Sequence, residues 1–480
     1  VLGGVGISGG DSDKGKDYAI EGITSRSSEW PSPGATVSDL LAARILMAMS
    51  LGFHIIFAVA GMGMPLLMAV AEGLWLRTRE PVYLDLARRW ARGTAILFAV
   101  GAVSGTVLAF ELGLLWPGFM AFAGGVIGMP FSLEGFAFFT EAIFLGIYLY
   151  GWQRISPGAH WLAGVLVAAS GLASGVFVVT ANAWMNAPAG FRLVDGRVAD
   201  VDPVAAMLNP ASLNQVVHMA LAAYVATGFG VAAVHAFFLL RDRGSRFHRR
   251  AFAIALVVGS VTIPLEVVSG DFLAKMVARN QPAKFAAMEG HYRTAAGAAL
   301  VIGGLPDDAA METRWAIRVP GLLSFLAHGD FGATVTGLAD IPRDEWPPTA
   351  VVHLAFDLMV ALGVALLALA AWAGWLAWRR RGLPDDPRFL RACVAAGPLG
   401  IIAIEAGWTV TEVGRQPWII WKIMRTAEAV TPMPGLVVPL IVFTGVYLLL
   451  AAVVAVLLRR QFLETDPARL GPRRPDARGG

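Results

Sequence analysis

Two imidazoles, one thioether and a set of carboxylates lie inside runs of residues that otherwise avoid charge. The soft donors are His54 (LGFHIIF), His218 (NQVVHMALAAY) and Met359 (FDLMVALG); the carboxylates are Glu111, Glu134, Glu141, Glu266, Asp357, Glu405 and Glu412. Ionisable groups at membrane depth are costly and mark ion, proton or cofactor sites. An imidazole opposed by a thioether makes a six-coordinate haem suited to electron transfer, and a column of carboxylates on one helix face suits proton relay. Each residue also has a plainer use. A buried His can bond a neighbouring helix, a Met can pack, and a carboxylate can pair with Arg or take up a proton through desolvation.

The elements that must position these groups are membrane helices. Of 480 residues, 56% are apolar and 15% charged, against about a quarter charged in soluble domains. The single cysteine, Cys393, excludes a disulfide framework, a Cys-rich metal site and an iron-sulfur ligand set. A membrane helix needs about 20 mainly apolar residues. Nine windows qualify, at 39–74, 93–116, 132–152, 160–184, 211–240, 251–271, 350–378, 392–413 and 434–458. The chain therefore reads as an all-α, polytopic membrane protein with nine transmembrane helices, segments 1–6 within 37–271 and segments 7–9 within 350–460.

Of the 38 basic residues 33 are Arg, and they gather between apolar windows. Arg77, Arg79, Arg88, Arg89 and Arg92, then RDRGSRFHRR, RRRGLPDDPRFLR and the tail from Arg459 all fall on one side. Short Arg-rich loops stay cytoplasmic, which puts the N-terminus outside and the C-terminus in the cytoplasm. The loop bearing Arg415, Lys422 and Arg425 fits this least well. Residues 1–36, rich in Gly, Ser and charge, read as a flexible leader that precedes the first membrane segment and even the natural start, and 461–480 as a cytoplasmic tail. The long connection 272–349 is an outer loop of a length that is usually functional or disordered. The stretch WPGFMAFAGGVIGMP reads as an uncharged loop after segment 2.

Spacing adds detail. His218 and Met359 lie seven and nine residues beyond Ala211 and Ala350, about 10 to 15 Å below their helix starts. They could face each other across a flat cofactor. Glu134 and Glu141 are seven apart and share a face of segment 3; Glu405 and Glu412 do so in segment 8, which stops at Gly414 to Trp418. Arg415 there could pair with a carboxylate or a haem propionate. Trp408, Trp418 and Trp421 read as an aromatic belt.

EAGW followed by GRQPW, with FHIIF, SLEGFAFFTEAIF, ANAWMNAP, NQVVH and QPAKFAAMEG in this order, resembles subunit I of cytochrome bd-type quinol oxidases of the short Q-loop type. The resemblance runs from about residue 38 to 460. It implies nine helices and three haems: a low-spin haem b, a high-spin haem b, and a haem d or third haem b at the oxygen site. By position His218 and Met359 match the ligands of the low-spin haem, and His54 and Glu405 the axial ligands of the two high-spin haems. Arg415 and Trp408 would contact cofactor. Glu134 and Glu141 resemble carboxylates of the oxygen site or its proton supply, with Glu111 and Glu412 as further proton-handling candidates. Lys284 and Glu289 match the quinol-contacting pair of the outer loop.

Two positions depart from the pattern. Asp357 stands where the best-known members have Arg, and the usual carboxylate of helix 2 aligns with Ala109, about 200° around the helix from Glu111. The implied activity is a quinol:dioxygen oxidoreductase of the bacterial plasma membrane. Quinol is oxidised at the outer face, and dioxygen is reduced to water with protons from the cytoplasm, by way of carboxylates such as Glu141 and Glu111. Each charge crossing is worth about 2.3 kcal/mol per 100 mV, so such an enzyme is electrogenic without a pump. Implied partners are a second large membrane subunit, a small single-helix subunit, quinol, dioxygen and lipid, without nucleic acid. A haem-copper oxidase would need clustered histidines, and the eight here are scattered. A haem-free proton-coupled transporter is the other class; it would show repeated halves with matched broken helices, which are not evident.

Overall fold

The computed structural model describes residues 38–465; the leader 1–36 and residues 466–480 lie outside the described residues. Among the described residues nine helices are long and apolar enough to cross a membrane. They are α1 (Asp39–Thr78), α2 (Pro81–Leu115), α3 (Pro117–Tyr150), α4 (Pro157–Asn186), α5 (Ser212–Arg241), α6 (Arg246–Asn280), α7 (Thr349–Arg380), α8 (Pro387–Val413) and α9 (Val437–Thr465). Each apolar window falls on one of them.

The stretch expected to be a loop after segment 2 is helical instead. α3 starts at Pro117, with only Trp116 between it and the end of α2, and carries Pro130 inside it. Proline is accepted at a first helical position because its missing N–H has no partner there. Phe119, Ala123, Val126 and Ile127 then recur at helical spacing and are buried against Leu46, Trp184 and Ile420. The glycines in this stretch made it look like a turn; its apolar stripe decides the structure.

Helix association in lipid gains little from the hydrophobic effect, so it relies on close packing by small residues. α5 and α6 approach until a Cβ on Gly228 would lie 2.6 Å from the Gly259 nitrogen, and one on Gly63 of α1 would lie 2.1 Å from Thr227 Oγ1 of α5. α1 packs against α2, α4, α5 and α9, and so touches most of the groups singled out above.

The connection between α6 and α7 is folded. It opens with a short helix, Pro282–Met288, continues through small antiparallel hairpins and a second short helix, Leu322–His328, and returns to α7. Phe285, Met288, Tyr292, Leu323 and Leu338 share one core with Val352 of α7 and Val410 of α8. That shared core fixes the loop on the helix ends.

Candidate functional site

His54 and His218 are held by the same device. His54 Nδ1 lies 3.0 Å from Ser104 Oγ, with the Gly101 carbonyl also in reach; Ser104 donates its own proton to the Val100 carbonyl at 2.9 Å. His218 Nδ1 lies 2.9 Å from Ser269 Oγ and 3.2 Å from Glu266 Oε1, and Ser269 donates to the Glu266 carbonyl at 2.8 Å. Each serine has spent its proton, so each Nδ1 must donate, and the lone pair is left on Nε2. That is the tautomer a metal-ligating imidazole needs. The next residue in each case is glycine: a Cβ on Gly105 would lie 2.9 Å from His54 Cε1, and one on Gly270 3.3 Å from His218 Cε1. The sequence repeats as VSGTVLAFE (103–111) and VSGDFLAKM (268–276), a signal that could have located these second partners.

Met359 of α7 packs on α8, its sulfur 3.0 Å from where a Gly407 Cβ would stand. Two residues back, Glu405 points at α1: a Cβ on Gly52 would lie 3.2 Å from its Oε2, and its Oε1 is buried without a partner. Trp408 packs within the bundle beside Ile55 and Ala223 rather than facing lipid.

α1 orders the remaining carboxylates along its length. Ser50 faces Glu111 of α2 and Tyr447 of α9, all three buried and without a well-formed hydrogen bond. Gly52 meets Glu405, and His54 meets Ser104. About 10 Å further on, Gly61 and Gly171 flank Glu141, whose Oε1 is also unpartnered. Glu134 accepts from Ser174 at 3.2 Å. The structure therefore keeps Glu134 and Glu141 together on α3 and sets Glu111 apart, on the α1 N-terminal side of His54.

At the other end of α8, Glu412 accepts from Asn182 and, at 2.6 Å, from Arg415. Asn186 donates to Asn182 Oδ1 at 3.1 Å and accepts from Lys284 at 2.6 Å. Two buried basic groups, Lys284 and Arg415, and the partly exposed Glu412 carboxylate thus share one network built by the α6–α7 connection, α4 and α8. Burial drives the Lys284 ammonium well below its usual range; Arg415 adds to this and Glu412 opposes it. Arg415 is 2% exposed, and its Nε and Nη1 have no acceptor. Asn182 and Asn186 went unnoticed in ANAWMNAP because amides are common at helix ends.

Glu289 lies elsewhere on the loop. Its neighbours Met288 and Gly290 pack on His353 of α7, which bonds the Met288 carbonyl at 2.8 Å. Asp357, one turn on, accepts from the Gly303 N–H at 2.7 Å and lies 3.5 Å from His353. Gly303 has φ +66, a conformation that glycine adopts without strain. Burial, then the Asp357 charge, raises the Glu289 carboxyl to about 8.

These residues fit haem. Two imidazoles, each seated on a glycine and held at Nδ1 by a serine, keep Nε2 for a metal, and a buried guanidinium has unspent N–H groups of the kind that hold a propionate. The family model for cytochrome bd terminal oxidase subunit I matches residues 42–466. A putative cytochrome bd menaquinol oxidase subunit I of Bacillus subtilis is 40% identical over 429 residues, covering 88% of this chain and 96% of the relative. A cytochrome bd ubiquinol oxidase subunit 1 of the same organism is 32% identical over 439 residues, covering 88% and 94%. Among solved structures, the bd oxidase from Geobacillus thermodenitrificans superposes with a TM-score of 0.84 at 40% identity, covering 89% of this chain and 99% of that one. The chain belongs to the cytochrome bd terminal oxidase subunit I family.

Proposed function

We propose that this chain is the catalytic, haem-bearing subunit of a terminal quinol oxidase that reduces dioxygen to water. Membership of the family makes it a cytochrome bd-type quinol oxidase subunit of a bacterial membrane, working with a second membrane subunit, and removes the transporter reading. Haem, when bound, supplies one-electron redox chemistry and the place where dioxygen is reduced. The observation that carries the reading is the pair of membrane histidines whose Nδ1 protons are fixed inward, leaving Nε2 as ligand atom.

On this reading His218 and Met359 hold a low-spin haem b. His54 and Glu405 are axial ligands in the pair formed by a high-spin haem b and a haem d or third haem b, and Arg415 holds a propionate. Glu412, held by Asn182 and Arg415, serves proton handling or pairs structurally with that guanidinium. Lys284 and Glu289 bind quinol at the outer face. Glu289, protonated below about 8, takes a quinol proton in its ionised form and releases it outward. Glu134 and Glu141 hold protons drawn from the Arg-rich, cytoplasmic face, which makes turnover electrogenic without a pump. A small third subunit completes the assembly.

Reduced-minus-oxidised spectra of the purified oxidase, with pigment extraction, test this. Several b- or d-type haems are expected, and His218→Ala removes the low-spin signal selectively. A haem-free native preparation would overturn the proposal.

A further inference from the structure

A second buried group of polar side chains lies near the α1 C-terminal end, far from the ligands above. Glu72 of α1, Tyr148 of α3 and His160 of α4 are 1%, 0% and 2% exposed. His160 Nε2 lies 2.9 Å from the Tyr148 carbonyl, which can only accept, so Nε2 carries a proton. Its Nδ1 lies 2.7 Å from Glu72 Oε1, and a contact this short needs one proton between the atoms. Whether written as imidazolium and carboxylate or as imidazole and carboxylic acid, the pair stores one acid proton. Glu72 Oε2 and the Tyr148 hydroxyl, both buried, face each other and have no other hydrogen-bond partner, so the hydroxyl is the pair's next neighbour for a proton.

Three further observations give the proton a route. Tyr148 follows Glu141 by seven residues, as Glu141 follows Glu134, so the three form one stripe on α3 with steps of about 10 Å. Around Glu141, α1 and α4 close in at Gly61 and Gly171, where a Cβ on Gly171 would lie 3.1 Å from the Gly61 carbonyl oxygen and 3.2 Å from Glu141 Oε1, so the carboxyl sits in the seam between the two helices. At the other end, residues 153–159, just before His160, are exposed. The rings of Trp152 and Tyr148 flank the imidazole with centroids at 3.9 and 4.4 Å. Arg88 lies over the Trp152 ring at 5.1 Å, so the Arg-rich segment comes within one ring of His160.

We infer that Glu72, His160 and Tyr148 form a proton-loading site that feeds the Glu141–Glu134 stripe from the Arg-rich face. The step balances without an oxidant. The pair gives up its shared proton through the Tyr148 hydroxyl along the α3 stripe to the Glu141 carboxylate, leaving ionised Glu72 beside neutral His160, and a proton from the aqueous face restores it. The inference rests on the oxidase reading above.

The test uses the complete oxidase in liposomes, with Glu72→Gln and Tyr148→Phe. Both variants should keep the wild-type haem spectrum and the wild-type rate of anaerobic haem reduction by quinol. Quinol-driven oxygen uptake should fall by about 10- to 100-fold in Glu72→Gln, within what a positioned proton donor contributes, and its solvent isotope effect should rise. Tyr148→Phe, which removes one oxygen and keeps the ring packing, should show the same isotope signature with a smaller loss; it decides the matter where Glu72→Gln does not assemble. Wild-type uptake and isotope effect in Tyr148→Phe, and in Glu72→Gln where it assembles, would overturn the inference. A wild-type oxidase without haem or quinol-dependent uptake would instead overturn the oxidase reading.

Discussion

The His54 and His218 regions share a scaffold and differ in what stands behind it. Both rings rest on a Ser–Gly pair of the following helix. Behind Ser104 there are only backbone carbonyls, whereas behind Ser269 there is the Glu266 carboxylate, 3.2 Å from the ring. An imidazole backed by a carboxylate is a stronger donor to iron and favours the oxidised metal. A ring backed by neutral dipoles is free of that bias. The helix behind His218, α6, packs on α7, whose Asp357 meets the α6–α7 connection at Gly303, while the His54 region lies beside the carboxylates ordered along α1. On the proposed function, one region receives electrons from outside the bundle and the other handles protons within it.

The sharpest break of this comparison is removal of either ring. His218→Ala should abolish the low-spin signal and essentially all quinol-driven oxygen uptake, yet leave the high-spin signals. His54→Ala should do the reverse to the spectrum. Loss of all haem in both variants would mean the two regions are not separate sites. On α8, Glu405→Gln should remove one high-spin signal and leave Glu412→Gln with its full complement. The opposite result would assign the ligand to Glu412 and leave Glu405 as a carboxylate against Gly52.

A subtler change tests the link between the His218 region and the loop. Because Glu289 is raised to about 8, its ionised form grows as pH rises through that value, and quinol oxidation should climb over the same range. Asp357→Asn removes a nearby negative charge, lowers the Glu289 pKa and should move that rising limb to lower pH. A pH–rate profile of kcat/KM for quinol that does not move would separate Asp357 from the quinol step.

Much of this was legible in the sequence, and the omissions have a common cause. Hydropathy located all nine helices because a span in lipid has to be apolar along its whole length. It misread 117–131 because four glycines there mimic a turn, while the apolar stripe through Phe119 and Ile127 packs as a helix. The donors His54, His218 and Glu405 stand out because charge is rare at depth. Their partners Ser104, Ser269, Gly52 and Gly270 do not, since small residues are ordinary in membrane helices. Spacing also could not show that Glu111 joins Ser50 and Tyr447 rather than the α3 stripe, because that grouping depends on where α9 packs.

The smaller effects test the carboxylate itself. Glu266→Gln keeps an acceptor behind His218 but removes a group that can carry negative charge, so the midpoint potential of the haem proposed at His218 should rise. The rise would be about 59 mV for each tenfold change in the relative affinity for the two oxidation states. Smaller still is the pair Ser104→Ala and Ser269→Ala. Each removes one hydrogen bond worth about 0.5–1.5 kcal/mol, but each ring keeps a second acceptor, the Gly101 carbonyl or Glu266. Ser269→Ala hands the Nδ1 proton wholly to a carboxylate and should lower the low-spin potential, whereas Ser104→Ala hands it to a neutral carbonyl and should leave the high-spin potentials nearly still. Equal shifts in a redox titration of the two variants would show that the serines, and not the charge behind one of them, set the difference between the sites.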